Sequence, residues 1–164
     1  MKIDHTRTRK AVLLFAALGL ILTASRSQAG LGWTLAQFRQ KYGKPVLAQE
    51  PIAGRIGYVF KGEDYTIAAF FLNRQVSRII YICCSGPVFS WGTVRALLGA
   101  NAPDAVWSDA TKNEADNSYR INGTKNGVET YYASLTDEGK MLGIWTKEDD
   151  EAGRTRPKPN TPRM

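Results

Sequence analysis

The sequence predicts an α+β protein in which two helix-plus-three-strand meander units share one antiparallel sheet and place both helices on a single face. Two observations support this class. Residues 65–84, the densest apolar stretch after the first 29 residues, carry β-branched and aromatic residues on both sides of a polar turn, as in a hairpin. The order helix, strand, hairpin also occurs twice, in residues 31–84 and 88–147. We therefore expect one domain over residues 30–152 that contains two pseudo-repeats.

The first 29 residues are expected to be a signal peptide. Four basic residues precede an apolar run from Ala11 to Ala24, and the small residues Ser27 and Ala29 favour cleavage near Ala29. The run is shorter than the roughly 20 residues of a membrane span. A retained N-terminal anchor is the alternative, and no cysteine stands at the expected cleavage site to carry a lipid. We expect an exported soluble protein without a stable membrane anchor, located in the periplasm or outside the cell.

The charge of the chain is concentrated outside the expected domain. The formal net charge of +7 comes from 22 Lys and Arg against 15 Asp and Glu, but the leader and residues 153–164 hold many of the basic residues. The domain itself is left close to neutral, which argues against a nucleic-acid partner. Residues 153–164 are basic and proline-rich, so they are expected to form a disordered tail.

The first pseudo-repeat begins with a helix whose ends are visible in the sequence. Thr34 is a suitable N-cap, apolar residues follow at helical spacing, and Gly43 and Pro45 end the helix. A turn-rich connection through Pro51 and Gly54 should follow. Strands are then expected at 56–61 and on both sides of the turn at 72–76, with another turn at 62–64.

The second pseudo-repeat follows the same order. Ser90 is a suitable N-cap for a helix that ends at Gly99, and a linker with Pro103 and Trp107 and a polar loop at 111–117 come next. Strands are expected at 118–122, 128–135 and 141–146, with turns at 122–123, 126–127 and 137–139. A tandem duplication and a chance likeness of two ordinary α+β segments both remain open, because the halves share a pattern but hardly any identical residues.

Residues 31–45 and 71–76 resemble a known family pattern. LGWTLAQF followed by YGKP is similar to the opening of the SmpA/OmlA (BamE-like) small exported proteins, and FLNRQV is similar to the hairpin of that family. The tandem order of elements resembles the β-lactamase inhibitor protein. This resemblance implies an exported binding or inhibitory module made of two helix-plus-sheet units. Trp33 stands where that family has methionine, Arg74 stands where it has glycine, and its lipid-bearing cysteine has no counterpart in this sequence.

The position of the only histidine excludes several kinds of chemistry. That residue, His5, lies inside the expected leader. The mature chain would then lack the imidazole of a Ser-His-Asp or Cys-His nucleophile and of a His-ligated zinc site. Phosphate-binding glycine motifs are also missing from the sequence. We expect no cofactor and no metal, and we assign no catalytic residue.

Carboxylates remain as candidates for acid–base chemistry. Glu63 with Asp64 and Asp137 with Glu138 stand at corresponding turns, and residues 148–151 form an acidic run. A glycosidase-like pair would need two such carboxyls to face one cleft. We favour ordinary turn chemistry and a solvated acidic run as the interpretation of these residues.

Cys83 and Cys84 form the one unusual pair. Adjacent residues of a strand point to opposite faces, so one thiol should face the core and the other should not. Four states remain open for them: two thiols, a vicinal disulfide, an intermolecular disulfide, or a redox or metal site.

The function that the sequence favours is an exported, non-enzymatic binding or inhibitor-like module that recognises a protein partner. An exposed sheet face or the hairpin turns would hold the partner. Five aromatic residues are candidate contacts: Trp33, Trp91, Tyr131, Tyr132 and Trp145. Core packing is the favoured use of Trp33 and Trp91. The alternative function is a small exported hydrolase or redox protein that uses paired carboxylates or Cys83 and Cys84. The oligomeric state and the identity of the partner stay open.

Overall fold

The structure is a computed structural model that describes residues 30–52, 54–62, 64–84, 88–136 and 138–154. These residues form an α+β arrangement of helices packed on a large antiparallel sheet. The helices are α1 (Leu35–Tyr42), α2 (Trp91–Asn101) and α3 (Lys147–Arg154). The strands are β1 (Leu47–Ile52), β2 (Arg55–Lys61), β3 (Tyr65–Leu72), β4 (Gln75–Cys83), β5 (Val106–Trp107), β6 (Thr111–Asn113), β7 (Ser118–Lys125), β8 (Val128–Thr136) and β9 (Met141–Thr146).

The strands form one sheet in the order β1-β2-β3-β4-β9-β8-β7-β5, and β6 also pairs with β7. Every pairing between neighbouring strands is antiparallel. Contact between β4 and β9 joins the two halves of the chain at the centre of the sheet. The α+β class predicted from the sequence is therefore confirmed.

Helix ends follow the local chemistry that the sequence indicates, with one exception. The Thr34 hydroxyl and the Gln37 side chain form a reciprocal capping box at the start of α1, and Gly43 follows the helix at a φ of 80°. Ser90 caps α2 by accepting a hydrogen bond from the Thr93 backbone N–H. The predicted end of this helix at Gly99 is wrong, because α2 continues to Asn101. A single glycine costs a helix only about 1 kcal/mol, which tertiary packing can outweigh.

Three strands were missed because tertiary pairing outweighs local composition at the sheet edges. β1 occupies the predicted turn-rich connection, and its Pro51 is tolerated because the strand is at an edge, beside a register irregularity. The short strands β5 and β6 occupy the predicted linker and polar loop, and both pair with β7. Sequence alternation over two or three residues is too short to predict such strands.

The predicted turn at Asn122 and Gly123 is also wrong, because β7 runs through both residues to Lys125. A Cβ atom on Gly123 would lie 3.0 Å from the Trp107 ring and 3.0 Å from the Tyr131 Cβ. This glycine therefore allows close packing inside the sheet. The turn predicted at Asn126 and Gly127 is confirmed, and both residues have positive φ, as a two-residue hairpin requires.

The two halves of the sheet do not have the predicted composition of one helix and three strands each. Four strands follow α1 and five follow α2, and a third helix ends the described chain. The predicted tandem duplication gains no support from these unequal halves.

The main core lies between the sheet and the first two helices. Phe38 of α1 packs on Phe60 and Phe71, with ring centroids 5.2 and 6.1 Å away. Val94 and Leu98 of α2 belong to the same buried cluster. We call this side of the sheet the covered face. Helices on a single face were predicted correctly for α1 and α2, but α3 lies on the opposite face.

Several predicted features fall outside the described residues. They are the signal peptide at 1–29, the tail beyond residue 154, the turn residues Glu63 and Asp137, and residues 85–87. Gly153 and Arg154, which we assigned to the tail, are the last residues of α3. Within the described ranges, the helices are too short or too polar to cross a bilayer.

Candidate binding surface on the open face of the sheet

The face of the sheet opposite α1 and α2 is the strongest candidate for a functional site. Strand register places its side chains in cross-strand rows, and we call this surface the open face. One row runs through Phe70, Arg78, Trp145 and Tyr132, and a second row pairs Val59, Ala68 and Ile80. A third row pairs Thr66, Ile82 and Met141.

Helix α3 covers one end of the open face and is fixed there by the buried carboxylate of Asp149. This residue is 0% exposed. Its Oδ1 accepts from Arg55 Nε at 2.7 Å and from the Ser77 hydroxyl at 2.9 Å, and its Oδ2 accepts from Arg78 Nε at 2.8 Å. Arg55 also donates to the Asp149 backbone carbonyl. One carboxylate therefore holds two guanidinium groups from β2 and β4 against α3.

This cluster contradicts the interpretation of residues 148–151 as a solvated acidic run at Asp149, whereas Glu148 and Glu151 are exposed. The backbone N–H of Asp149 donates to the Thr146 hydroxyl at 3.2 Å, so Thr146 caps α3. Three acidic residues occupy the first turn, where the helix dipole favours them. The spacing Thr146-x-x-Asp149 was a usable signal for a helix start, but nothing in the sequence indicates that Arg55 and Arg78 meet it.

Arg78 also connects the buried carboxylate to an aromatic group. Its guanidinium carbon lies 5.1 Å from the centroid of the Trp145 ring, and the Tyr132 ring lies 6.3 Å from Trp145 at an angle of 34°. The Tyr132 hydroxyl donates to Glu129 Oε1 at 2.7 Å, and this bond to a carboxylate raises the pKa of Tyr132 to about 12. These contacts therefore hold Arg78, Trp145 and Tyr132 in place on the open face.

The part of the open face away from α3 is apolar. Ile82 and Met141 are paired across β4 and β9 and are 36% and 41% exposed. Phe70 and Ile80 beside them are half-buried. A depression of about 140 Å³ lies among Phe70, Ile80, Arg55 and Arg78. An apolar surface of this kind next to a fixed Arg–Trp pair could accept side chains of a partner.

Of the five predicted aromatic contacts, the structure brings only Tyr132 and Trp145 together. Trp33 packs edge-on against Phe38, in the core as favoured. Core packing was also favoured for Trp91 and is wrong, because Trp91 is 45% exposed and meets Tyr119 edge-on. Tyr131 points to the covered side, where its ring lies 6.2 Å from Trp107 and its hydroxyl donates to Asp104 at 3.2 Å. The five residues therefore do not form one site.

Cys83, the last residue of β4, and Cys84, which follows the strand, contact opposite sides of the sheet. Both are free thiols in the described part of the chain. Cys83 packs against the core, and burial raises its pKa. Cys84 is exposed, its Sγ lies 3.0 Å from the Thr66 hydroxyl, and that hydrogen bond lowers its pKa. A redox role for the pair stays a prediction.

The predicted carboxylate pairs cannot be evaluated as pairs, because Glu63 and Asp137 lie outside the described residues. Glu138 makes an exposed ion pair with Lys140 at 3.4 Å. Among the residues that the structure describes, no three His, Cys, Asp or Glu side chains gather in a way that could hold a metal ion.

Comparisons with known proteins assign no family to the chain. No protein-family model matches it, and no curated protein matches it. Among solved structures it is similar to a cysteine-rich secretory protein from Staphylococcus aureus subsp. aureus Mu50, with 12% identity and a TM-score of 0.42. It is also similar to an extracellular protein containing an SCP domain from Bacillus anthracis strain Ames, with 13% identity and a TM-score of 0.46.

These similarities cover 73% and 84% of this chain but only 45% and 53% of the solved chains. The chain therefore spans about half the length of the structures that it matches. At these identities and TM-scores, we transfer no function from them.

The resemblance to the SmpA/OmlA proteins and to the β-lactamase inhibitor protein is wrong. No family model matches the chain, and the solved structures above are secretory and SCP-domain proteins instead. The residues behind the resemblance have local explanations. Thr34 and Gly43 make the capping hydrogen bonds at the two ends of α1. Asn73 and Arg74 form a turn with φ values of 51° and 65°. Helix caps and hairpin turns recur in unrelated folds, so they do not identify a family.

Proposed function

We propose that this chain is an exported, non-enzymatic module that binds a protein partner through the open face of its sheet. The observation that supports the proposal is the composition of that face. Ile82 and Met141 lie exposed on the same face as the fixed group of Arg78, Trp145 and Tyr132, and the row that contains Ile80 separates them from it. Aromatic residues, Met and Arg are enriched in protein interfaces, and Trp, Tyr and Arg supply most of their binding energy.

The way in which the sheet is covered supports the same proposal. α1 and α2 pack on the covered face, whereas α3 contacts β4, β8 and β9 at one end of the open face. A sheet with apolar side chains on both faces usually buries both of them. The remaining surface around Ile80, Ile82 and Met141 therefore suits a partner that presents aliphatic or aromatic side chains. Lys61 is exposed and pairs with Thr66 in the row of Ile82, so it would favour a partner carboxylate at the rim.

The fixed side chains lower the cost of binding. Asp149 orients Arg78 over Trp145, and Glu129 orients Tyr132. Side chains that are already immobilised lose less conformational entropy when a partner binds. Export is part of the proposal and rests on the basic and apolar pattern of the first 29 residues.

The alternative of a small hydrolase or redox protein has narrower support. The fully buried carboxylate of Asp149 is neutralised by two arginines, which suits a structural role better than proton transfer. Cys84 is the stronger basis for an enzyme, because its thiol is exposed and has a lowered pKa. A Cys84→Ser variant that still binds the partner would separate binding from thiol chemistry.

The proposal is tested by comparing what variants of the full chain capture. The protein is expressed in its own host with its leader and a C-terminal tag, and proteins bound to it are recovered from the envelope and the medium. We expect the wild-type chain to capture a protein that the double variant Ile82→Arg, Met141→Arg does not. Both arginines would become buried when the partner binds, so they should raise the dissociation constant by about 100-fold or more.

A matched control carries the same change at exposed valines elsewhere. Val106 lies in the edge strand β5, Val128 is the first residue of β8 beside a hairpin turn, and they are 74% and 62% exposed. The double variant Val106→Arg, Val128→Arg should capture the same protein as the wild type. Capture that is equal in all three chains, or lost equally in both variants, would contradict the proposal.

A further inference from the structure

Helix α3 is attached to the open face mainly through one side chain. Its sequence, KEDDEAGR, contains no Val, Leu, Ile, Met or aromatic residue, and Asp149 is the one buried residue of the helix, all of which the structure describes. Glu148 adds an exposed hydrogen bond, in which Asn73 Nδ2 donates to its carboxylate at 3.0 Å. Hydrophobic burial therefore contributes little to the docking of α3, and a helix of this length is only marginally stable on its own.

The fit between α3 and the sheet is incomplete. A gap of about 110 Å³ lies between Asp150 and Arg154 of α3 and the strands that carry Tyr132 and Trp145. Trp145 lines this gap, and its buried Nε1 has no hydrogen-bond partner among the described residues. Packed interiors contain few voids larger than a water molecule, and buried polar groups are nearly always hydrogen-bonded. α3 therefore covers its part of the open face without the close packing of a protein interior.

The groups that bind Asp149 belong to the sheet and not to α3. Arg55 is in β2, Ser77 and Arg78 are in β4, and β3 pairs with both strands. Arg55 Nε and the Ser77 hydroxyl donate to Asp149 Oδ1, and Arg78 donates to Oδ2 through Nε at 2.8 Å and Nη2 at 2.7 Å. Strand pairing would keep these groups close together if α3 left. The sheet itself therefore carries a carboxylate site made of two guanidinium groups and a hydroxyl.

Loss of Asp149 from this site and its replacement have different consequences. If α3 left alone, the Arg55 and Arg78 side chains, which are 12% and 34% exposed, would lose their shared counter-charge. A buried charge without its partner is strongly destabilising, whereas a second carboxylate restores the same charge-assisted hydrogen bonds. We therefore expect α3 to stay docked on the free chain and to leave when another carboxylate takes its place.

The depression beside the two arginines indicates what the incoming group carries next to its carboxylate. Its volume is about 140 Å³, and Phe70 and Ile80 form a half-buried apolar part of its lining. The exposed Glu50 also lines it, so the described lining residues Arg55, Arg78 and Glu50 leave one positive charge in the absence of Asp149. One carboxylate next to one aliphatic side chain would match both the charge and the apolar part of this surface.

We propose that Arg55, Ser77 and Arg78 form a carboxylate-binding site for the protein partner, and that α3 occupies this site until an acidic side chain of the partner replaces Asp149. An aliphatic side chain next to that acidic residue enters the neighbouring depression. In the complex the partner's carboxylate orients Arg78 in place of Asp149. This inference rests on the proposed function, and it adds which part of the partner is recognised and which helix controls access to the open face.

The carboxylate site is tested without the partner by chemical rescue of the full chain. Asp149→Ala removes the internal carboxylate, so sodium acetate at about 100 mM should raise the thermal midpoint by about 2–5 °C relative to the same concentration of sodium chloride. The wild type and Asp150→Ala, which lacks only the surface pair with Arg154, should each change by less than about 1 °C. Neutral acetamide should stabilise none of the three chains. Stabilisation of Asp149→Ala by acetate that does not exceed that by chloride would overturn the proposal.

Partner binding is tested by two substitutions that should act in opposite directions in the capture experiment above. Asp149→Ala removes the competing carboxylate and should increase the amount of captured partner by about threefold or more. Arg55→Gln weakens the site and should decrease it by about tenfold. Arg39→Gln changes an exposed arginine of α1 and should leave capture unchanged. A change in the same direction for Asp149→Ala and Arg55→Gln would show that the cluster is only structural, and it would overturn the proposal.

Hydrogen exchange on the wild-type complex tests the departure of α3 without any substitution. The backbone amides of residues 147–154 should exchange at least about tenfold faster in the captured complex than in the free chain. Equal or slower exchange would overturn the proposal, and this result decides if Asp149→Ala does not fold. A partner whose capture depends on Ile82 and Met141 but not on Arg55 would contradict this inference and leave the proposed function intact. If no chain captures a protein, the proposed function fails, and acetate rescue then reports on the carboxylate site alone.

Discussion

On the covered face, α1 and α2 pack against sheet side chains that are almost completely buried, and the contacts are apolar and aromatic. On the open face, α3 is attached through one buried carboxylate that binds two arginines, and the apolar side chains beside it stay partly exposed. The first face is stabilised by hydrophobic burial and the second by directional, charged hydrogen bonds. The difference indicates that burial on the covered face stabilises the fold, whereas the open face keeps apolar side chains partly accessible.

Truncation of a matched pair of phenylalanines should give the largest contrast between the faces. Phe60 on the covered face is fully buried, and Phe70 on the open face is half-buried. Phe60→Ala should lower the free energy of unfolding by about 3–5 kcal/mol, and Phe70→Ala by about 1–2 kcal/mol. Urea denaturation measures both. Equal losses would show that the two faces bury their side chains to the same extent.

Removal of the Asp149 charge should give the next largest effect. Asp149→Asn leaves Arg55 and Arg78 without their shared carboxylate and should cost about 2–3 kcal/mol, a reduced value because the Arg78 side chain is 34% exposed. Asp150→Asn removes only a surface pair with Arg154 and should cost under about 1 kcal/mol. If both variants unfold at the same urea concentration, the carboxylate cluster does not hold α3.

The alkylation rates of the two neighbouring cysteines should also differ between the two faces. Iodoacetamide should modify Cys84 at least about tenfold faster than Cys83 at neutral pH, because Cys84 is exposed with a lowered pKa and burial raises the pKa of Cys83. Thr66→Val removes the hydrogen bond to Cys84 and should move its pH–rate midpoint upward. Peptide mass spectrometry follows each site. Similar rates at both thiols, or an unlabelled pair, would contradict their placement on opposite faces.

The smallest expected difference is in how the pKa values of the adjacent residues Tyr131 and Tyr132 respond to one substitution. The bond to Glu129 raises the pKa of Tyr132 to about 12, whereas burial is the main cause that raises the pKa of Tyr131. The contribution of the Tyr132 bond is therefore complete below the ordinary tyrosine pKa of 10.0 and is lost as the pH rises through about 12. Glu129→Gln should lower the pKa of Tyr132 and leave that of Tyr131 nearly unchanged.

Ultraviolet absorbance titration measures both ionisations, and Tyr132→Phe and Tyr131→Phe assign them. A Tyr132 pKa that Glu129→Gln does not lower would show that the carboxylate is not its hydrogen-bond partner.

The covered face could largely be predicted from the sequence, and the open face could not. Alternation in residues 65–84 and the caps at Thr34 and Ser90 are local features, and they predicted the central hairpin and the starts of α1 and α2. Local chemistry also misled, because turn and cap residues suggested a family that the comparisons do not support. Edge strands such as β1 form because they can pair with a neighbouring strand. The local sequence pattern does not show that this neighbour will be there.

The candidate site was harder still to predict. Tyr132 and Trp145 were proposed as contacts because they are aromatic, but their pairing depends on the register of β8 and β9. Arg55 and Asp149 are 94 residues apart in the sequence, and neither belongs to a motif that predicts their contact. Long-range pairing of single charged residues leaves no periodic signal, so the Asp149 cluster was visible only in the folded chain.

Photo-crosslinking from the open face tests the central claim most directly. p-Benzoylphenylalanine is placed at position 82 or, as a control, at position 128 of the full exported chain, and the host is irradiated. The account predicts that position 82 crosslinks to one defined protein and that position 128 does not. No crosslink from position 82, or the same crosslinks from both positions, would contradict the assignment of the open face as a protein-binding surface.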